Sequence, residues 1–548
     1  MAHFQHACDA PMQSEPFQQK RQPGPNIFDA LPIEVSDVRV GFDVGINNCI
    51  IAQIRQDIAR RLESDDDLKA FRLVCRSLHD AVEADGCSFW RYRFLESFDK
   101  PLGLFNNLYC KASYQQRKRW LYDPPKFELG RSRQEQVCLG VIRNLINGEL
   151  CLRPCFPGWR ASESTMRMIA DVVCIESWSS DQAHPRDHSP NIKHLETFAL
   201  KASTILKNIF APNQNKTKRP SHSDAAKGRT RLLATVQVVF APLILDLRTP
   251  DPQAFDFPQS QQAAYSGPRQ WSIFHGRDGH VVDMPWVLHQ INFWKYHMIR
   301  SEECTLYPAF KGLDKHDTPQ MWNCPISPDP IQSSSDMHFG RIWKTCFAFI
   351  DQGHLAELRA GPSDDALRQD EFEYESTQDA FPEWELSMNQ KGNDTWPKEF
   401  EDCLHSLTPL KGSPRNVTRS QDRSVDNSQT LAFPPQRITC RELFGEEEDG
   451  DDAEVFHADG YLTALPPQSG IPGFIRVTMM KYKLEAGGTF REHWAYEGVM
   501  LPGRQMIIGR WWQPFVPEAA ADSGPFIMWC VDGQKRHLDP RTDQEEAV

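Results

Sequence analysis

Asp66–Phe94 reads DDLKAFRLVCRSLHDAVEADGCSFWRYRF. Leu68, Phe71, Val74, Cys75, Leu78 and Val82 recur at three- and four-residue steps, which puts them on one face of a helix. Ser64 and Asp65 to Asp67 stand at its start. A serine hydroxyl there accepts from free first-turn amides, and the carboxylates oppose the positive end of the helix dipole. Gly86 is read as the stop, with Phe89 and Trp90 folding back beyond it as an apolar anchor. Upstream lie Leu31-Pro32-Ile33-Glu34, then Ile58 and Leu62 four residues apart. Three short helices cannot bury all of their apolar surface alone, so the pattern predicts a face left for a partner.

In chain order, the Leu31-Pro32 start, Ile58 with Leu62, the Asp67-Leu68 entry, Arg72 to Arg76 and the closing Trp90-Arg91 resemble the F-box. Leu78 stands where that family often has tryptophan, one apolar knob for another. The resemblance implies a non-catalytic adaptor of a Skp–cullin–F-box ubiquitin ligase. It would bind a Skp-family protein through Leu31, Pro32, Ile33, Ile58, Leu62, Leu68, Leu73, Val74, Leu78 and Trp90. It would deliver an unidentified protein substrate for ubiquitination and proteasomal degradation. One departure concerns Val35–Gln53, which separates LPIE from IRQDIARRL where the family joins them directly. Val-Ser is encodable by GTAAGT and Gln by CAG, so the segment reads as a retained intron or a loop insertion that interrupts the first helix.

The bulk composition narrows the alternatives. A net charge of -13 disfavours nonspecific nucleic-acid binding. No apolar run reaches the length of a secretory signal or a membrane span. The 15 cysteines include no Cys-x-x-Cys, and Cys151 with Cys155 has no second ligand pair at zinc spacing. Reduced thiols in the cytoplasm or nucleus are the expectation, with no metal, cofactor, nucleic acid or membrane partner. No catalytic residue is expected, because nucleophile-elbow, zinc-protease and phosphate-loop motifs are all missing.

The predicted fold class is α+β: an N-terminal helical F-box and helical linker region, then a β-rich barrel or sandwich with long loop insertions. The segments are a polar tail over 1–25, the F-box over 26–100 with its insertion at 35–53, a helical region over 101–211, a linker over 212–231 and a β-rich recognition domain over 232–548. Gln134–Leu145 carries the helical stripe Val137, Cys138, Val141, Ile142 and Leu145. Leu233–Leu247, Gly473–Tyr482, Trp494–Leu501, Gln505–Trp512 and Phe526–Asp532 are read as β-rich runs. Gly361–Glu373, Lys411–Thr430 and Glu446–Asp452 are read as polar loops.

Trp494–Trp512 reads as a hairpin turning at Leu501-Pro502-Gly503-Arg504. A two-residue loop sets Leu501 opposite Arg504. Trp494, Tyr496, Gly498, Met500, Ile507, Gly509 and Trp511 then share a core face. His493, Glu497, Val499, Ile508, Arg510 and Trp512 share the other, with Glu497 and Arg510 as diagonal neighbours. Ala464–Tyr482, Trp494–Trp512 and Ser523–Asp532 are similar to the C-terminal module of many filamentous-fungal F-box proteins. Glu497, Arg510, His493 and Trp512 are the candidate substrate-binding residues, with a structural Glu497–Arg510 ion pair as the plainer reading. A small-ligand-binding β-barrel with a degenerate or regulatory F-box is the alternative function.

Overall fold

The computed structural model describes residues 44–99, 106–121, 132–146, 190–191, 194–195, 224–247, most of 255–319, and 341–531 without 361–369, 373–380, 389–395, 406–434, 444–455, 485–489 and 518–519. Leu31, Pro32, Ile33, Cys151, Cys155 and the loops at Lys411–Thr430 and Glu446–Asp452 lie outside the described residues. The chain forms two compact units, Met1–Asp85 and Gly86–Val548, so the division falls inside the 26–100 segment.

The first unit holds α1 (Val44–Arg60), α2 (Asp65–Val74) and the start of α3 (Arg76–Ser97). Ala59, Leu68, Phe71, Ala81 and Val82 are its buried apolar residues. Gln56 Nε2 donates to the Ala81 carbonyl at 2.8 Å, and Arg72 pairs with Glu83 at 2.9 Å. Ser64 caps α2 as its sequence predicts, accepting from the Asp67 amide at 3.0 Å. Losing such a cap costs roughly 1 kcal/mol. Ser64→Ala should therefore speed amide hydrogen exchange in α2 about fivefold; unchanged rates would show that the cap contributes nothing.

The helix read from Asp66 to Gly86 is broken in the structure. Cys75 is extended, with φ -159° and ψ 162°, and separates α2 from α3. The physical reason is a second cap: the Cys75 carbonyl accepts from the His79 amide at 3.2 Å, and its thiol lies 3.1 Å from Ser77 Oγ. Gly86 does not end α3, which runs on to Ser97 with Cys87 at φ +69°. Val44–Gln53 does not interrupt the first helix either. It is continuous with the residues that follow, and Ile51 and Gln53 are exposed on it.

In the second unit the continuation of α3 buries Phe89, Trp90 and Phe94, and Phe98 is buried just beyond its end. α4 (Asn107–Leu121) and α5 (Ser132–Ile146) follow. The α5 stripe is buried at Cys138, Val141, Ile142 and Leu145, as its periodicity predicts. Next come α6 (Asp224–Val239), α7 (Ala241–Ile244), α8 (Phe257–Ala264), a small ribbon of β1 (Phe274–His275) and β2 (Val281–Val282), α9 (Met284–Ile299) and α10 (Tyr307–Gly312).

This corrects two expectations. Asp224–Arg231 is helix rather than linker, and Leu233–Leu247 is helical rather than β-rich. Its β-branched residues suggest a strand, but Ala234 to Leu245 are buried all round, which erases the amphipathic period. Thr235 fits inside the helix because its hydroxyl donates to the Arg231 carbonyl at 2.7 Å. Among the described residues no helix is long and apolar enough to cross a membrane.

The rest is a closed antiparallel barrel of eight strands. They are β3 (Ile342–Phe349), β5 (Glu383–Met388), β6 (Gln436–Leu443), β7 (Phe456–Ala464), β8 (Ile475–Leu484), β9 (Phe490–Met500), β10 (Met506–Trp512) and β11 (Ser523–Cys530). The two-residue β4 (Glu371–Phe372) flanks β3, and α11 (Gln352–Ala360) and α12 (Lys398–Leu404) lie in the connections. Closure is the pairing of β11 with β3, Phe526 opposite Phe347. Alternation sends Trp343, Phe347, Trp384, Val477, Met479, Tyr496, Met500, Ile507, Trp511, Phe526 and Met528 inward to one core. Much of the outer wall is buried too, since α12 covers Met480, Tyr482 and Ala495.

Candidate functional site

The β9–β10 hairpin differs from the expected two-residue loop. Leu501 bonds Met506 rather than facing Arg504, and Glu497 lies directly opposite Arg510. Pro502 is the cause. Its ring fixes a negative φ, whereas two-residue hairpin turns need a positive φ at that position. The chain instead makes a turn closed by the Arg504 amide on the Leu501 carbonyl, with Gly503 at φ +93° and Arg504 at φ +56°. The register moves by an even number of residues, so every side chain keeps its expected face.

Tyr496, Met500, Ile507 and Trp511 are inside the barrel, with Trp494 packed beside them. Glu497 and Arg510 are outside, joined at 3.0 Å. Glu497 also holds Arg476 at 3.0 Å, a partner that the hairpin alone did not reveal because it comes from β8. Both arginines reach further elements. Arg476 donates to the Leu404 carbonyl at the end of α12 and lies 4.8 Å from the Phe274 ring. Arg510 donates to the Trp271 carbonyl and is only 4% exposed. The triad therefore braces the barrel wall against the layer packed on it, and that layer covers the face on which Glu497 and Arg510 stand.

His493 and Trp512 sit nearer the surface. His493 meets Phe400 and Phe515 edge-on at 5.8 and 5.2 Å, and burial lowers its pKa. Trp512 packs with Phe400 and Cys403, whose thiol burial pushes up to about 11.

The proposed adaptor-binding residues divide by exposure. Leu73 is 85% exposed, Val74 58% and Ile58 41%. Ile51, Ile54 and Ile58 form an exposed stripe along α1. Leu62 lies past the end of α1, and both it and Leu78 are half-buried. Leu68 and Trp90 are buried and serve their own cores: Trp90 packs edge-on against Phe89 at 5.5 Å and against Tyr114 at 5.7 Å. They present nothing to a partner.

A further site was not anticipated. A cavity of about 230 Å³ opens at one end of the barrel, with Phe349, Trp494, Tyr496 and Trp511 as walls. Lys481 forms its floor, and Gln513 and Asp522 complete its lining. Lys481 continues the inward set Ile475, Val477, Met479 on β8 and is 4% exposed. Its ammonium lies 4.0 Å from the Phe456 ring centre, 5.3 Å from Trp384, 5.5 Å from Phe347 and 5.6 Å from Trp494. Such contacts stabilise a desolvated cation by about 2 kcal/mol. The signal was in the sequence: a lysine at an inward position of an otherwise apolar alternation.

Two other buried polar clusters pin α8 to its neighbours. Ser260 meets His289 at 3.2 Å and accepts from Asn292 at 2.9 Å; burial holds His289 down at about 4. Asp370 accepts from Gln261 at 2.7 Å and contacts His297 at 2.9 Å. Ser260 is fully enclosed, so the pair offers no substrate a route to a nucleophile. Among the described residues no group of three His, Cys, Asp or Glu is placed to hold a metal. Comparison with family models, with curated proteins and with solved structures gave no match, so the functional reading rests on these residues alone.

Proposed function

We propose that the chain is a non-catalytic substrate-recognition adaptor of a Skp–cullin–F-box ubiquitin ligase, acting in the cytoplasm or nucleus. Its N-terminal helices dock a Skp-family protein, and the barrel unit presents the substrate-binding surface. The observation that carries the reading is the solvent exposure of Leu73 and Val74 at the end of α2, within the F-box-like pattern. Large apolar side chains held open by a helix break contribute little to the fold. Each would contribute roughly 1.5–3 kcal/mol when covered by a partner.

The test is Leu73→Asp with Val74→Asp. Both side chains are exposed, so the thermal melt should not change. Affinity for a purified Skp-family adaptor should fall by more than about tenfold. Wild-type affinity in the double variant would refute the reading.

A second reading, a small-ligand-binding barrel, is favoured by the cavity over Lys481.

A further inference from the structure

We propose that the barrel cavity binds a neutral, flat aromatic lactam, its rings between the aromatic walls and its amide edge bonded to Gln513 and Asp522. The inference rests on the ligand-barrel reading and adds the chemistry of the ligand.

Three kinds of observation converge. The first is a hydrogen-bonding edge built at the mouth. Trp511 stands opposite Gly524 in the β10–β11 ladder. Gln513 and Asp522, two residues further out on each strand, therefore continue the inward face. Their backbones still pair, the Gln513 amide donating to the Asp522 carbonyl at 3.0 Å. The Asp522 amide in turn donates to Gln513 Oε1 at 3.2 Å. That bond fixes which end of the Gln513 side chain is oxygen, and the Nε2 hydrogens have no acceptor among the described residues. Asp522 Oδ1 accepts from Gln352 Nε2 at 3.1 Å, while its Oδ2 has no donor among the described residues. One N–H donor and one carboxylate acceptor thus stand side by side in the cavity lining. A group that offers a carbonyl and an N–H on one edge is their complement.

The second is shape. Phe349, Trp494, Tyr496 and Trp511 line the cavity with flat aromatic surface. The volume of about 230 Å³ exceeds the roughly 150 Å³ of a cavity that accepts benzene. Two fused rings are the matching size. The third is charge balance. Lys481 is already served, because the rings of Phe456, Trp384 and Trp494 stand around its ammonium at 4.0, 5.3 and 5.6 Å. With Asp522 it gives the lining one charge of each sign. An anionic ligand would meet Asp522 and a cationic one Lys481, where an unpaired charge is costly to bury. A neutral ligand meets neither penalty.

The experiment titrates the full chain with 2-quinolinone, with N-methyl-2-quinolinone, which lacks the N–H, and with the charged bicycles 2-naphthoate and 2-naphthylmethylammonium. Tryptophan fluorescence and heat report binding. Quinolinone should bind about tenfold more tightly than each of the other three. Asp522→Ala should erase its advantage over the N-methyl compound, and a merely steric effect of the methyl group would survive that substitution. Gln513→Leu should weaken both quinolinones several-fold, since it removes the donor to their shared carbonyl. Gln513 and Asp522 are half-buried and lie outside the barrel core, so both variants should melt like the wild type. Equal affinity for the two quinolinones, an advantage that persists in Asp522→Ala, or tighter binding of either charged bicycle would overturn the proposal while leaving a ligand barrel. No binding of any of the four at millimolar concentration would overturn both.

Discussion

Gly509→Val should prevent the barrel from closing. Gly509 lies opposite Gly498 on one side and Phe526 on the other, and the Phe526 ring covers both glycines. A Cβ at 509 would run into the Glu497 carbonyl and the Phe526 ring, with the Gly498 Cα at 2.7 Å. Two of these obstacles are backbone and cannot rotate away. Overpacking a core ordinarily costs about 1–3 kcal/mol; forcing two paired strands apart costs more, comparable to a typical domain's whole stability of about 5–15 kcal/mol. The variant should lose its near-ultraviolet circular dichroism and its cooperative melt. Gly498→Ala should be milder than Gly509→Ala, because its contacts begin at 2.8 Å. A Gly509→Val protein with a wild-type melt would contradict the packing described.

Glu497→Gln should lower the melting temperature by roughly 10 °C. The carboxylate serves two arginines whose side chains are 17% and 5% exposed, and it is itself 15% exposed. Removing one partner of a buried ion pair typically costs about 3–5 kcal/mol, because the remaining charges stay buried. A change of 1 kcal/mol moves the melt by about 2–4 °C in a domain of this order of size. Replacing all three residues together, Glu497→Leu with Arg476→Met and Arg510→Met, should recover much of the loss, since apolar groups of similar volume often substitute for a buried ionic cluster at little cost. A Glu497→Gln variant that melts like the wild type but no longer supports substrate ubiquitination would restore the pair as a recognition site.

The sequence was most legible where one residue period dominated. Ser64 with three aspartates marked the start of α2, and the β9–β10 alternation sorted Tyr496 and Trp511 inward and Glu497 and Arg510 outward. The failures have physical causes. Val236, Val238 and Val239 suggested a strand because a helix buried on every side shows no stripe. Cys75 hid a helix break because a thiol is not a usual cap, although here hydrogen bonds from Ser77 and Leu78 lower its pKa. Glu497 looked accessible because nothing along the hairpin reveals that Trp271, α12 and β8 would be brought against it. Lys481 was overlooked because a single charge reads as exposed until the barrel closes around it.

The pairing of Phe347 with Phe526 has a consequence for how this molecule is born. At typical elongation rates, the roughly 180 residues between them take on the order of ten to thirty seconds to emerge from a ribosome. During that interval β3 waits with one rim of backbone amides and carbonyls unmatched, and Trp343 and Phe347 have no enclosed interior to enter. High contact order of this kind slows folding and prolongs exposure to aggregation. The barrel thus completes itself with its last strand, and every chain passes through an open, aggregation-exposed infancy before it has an inside.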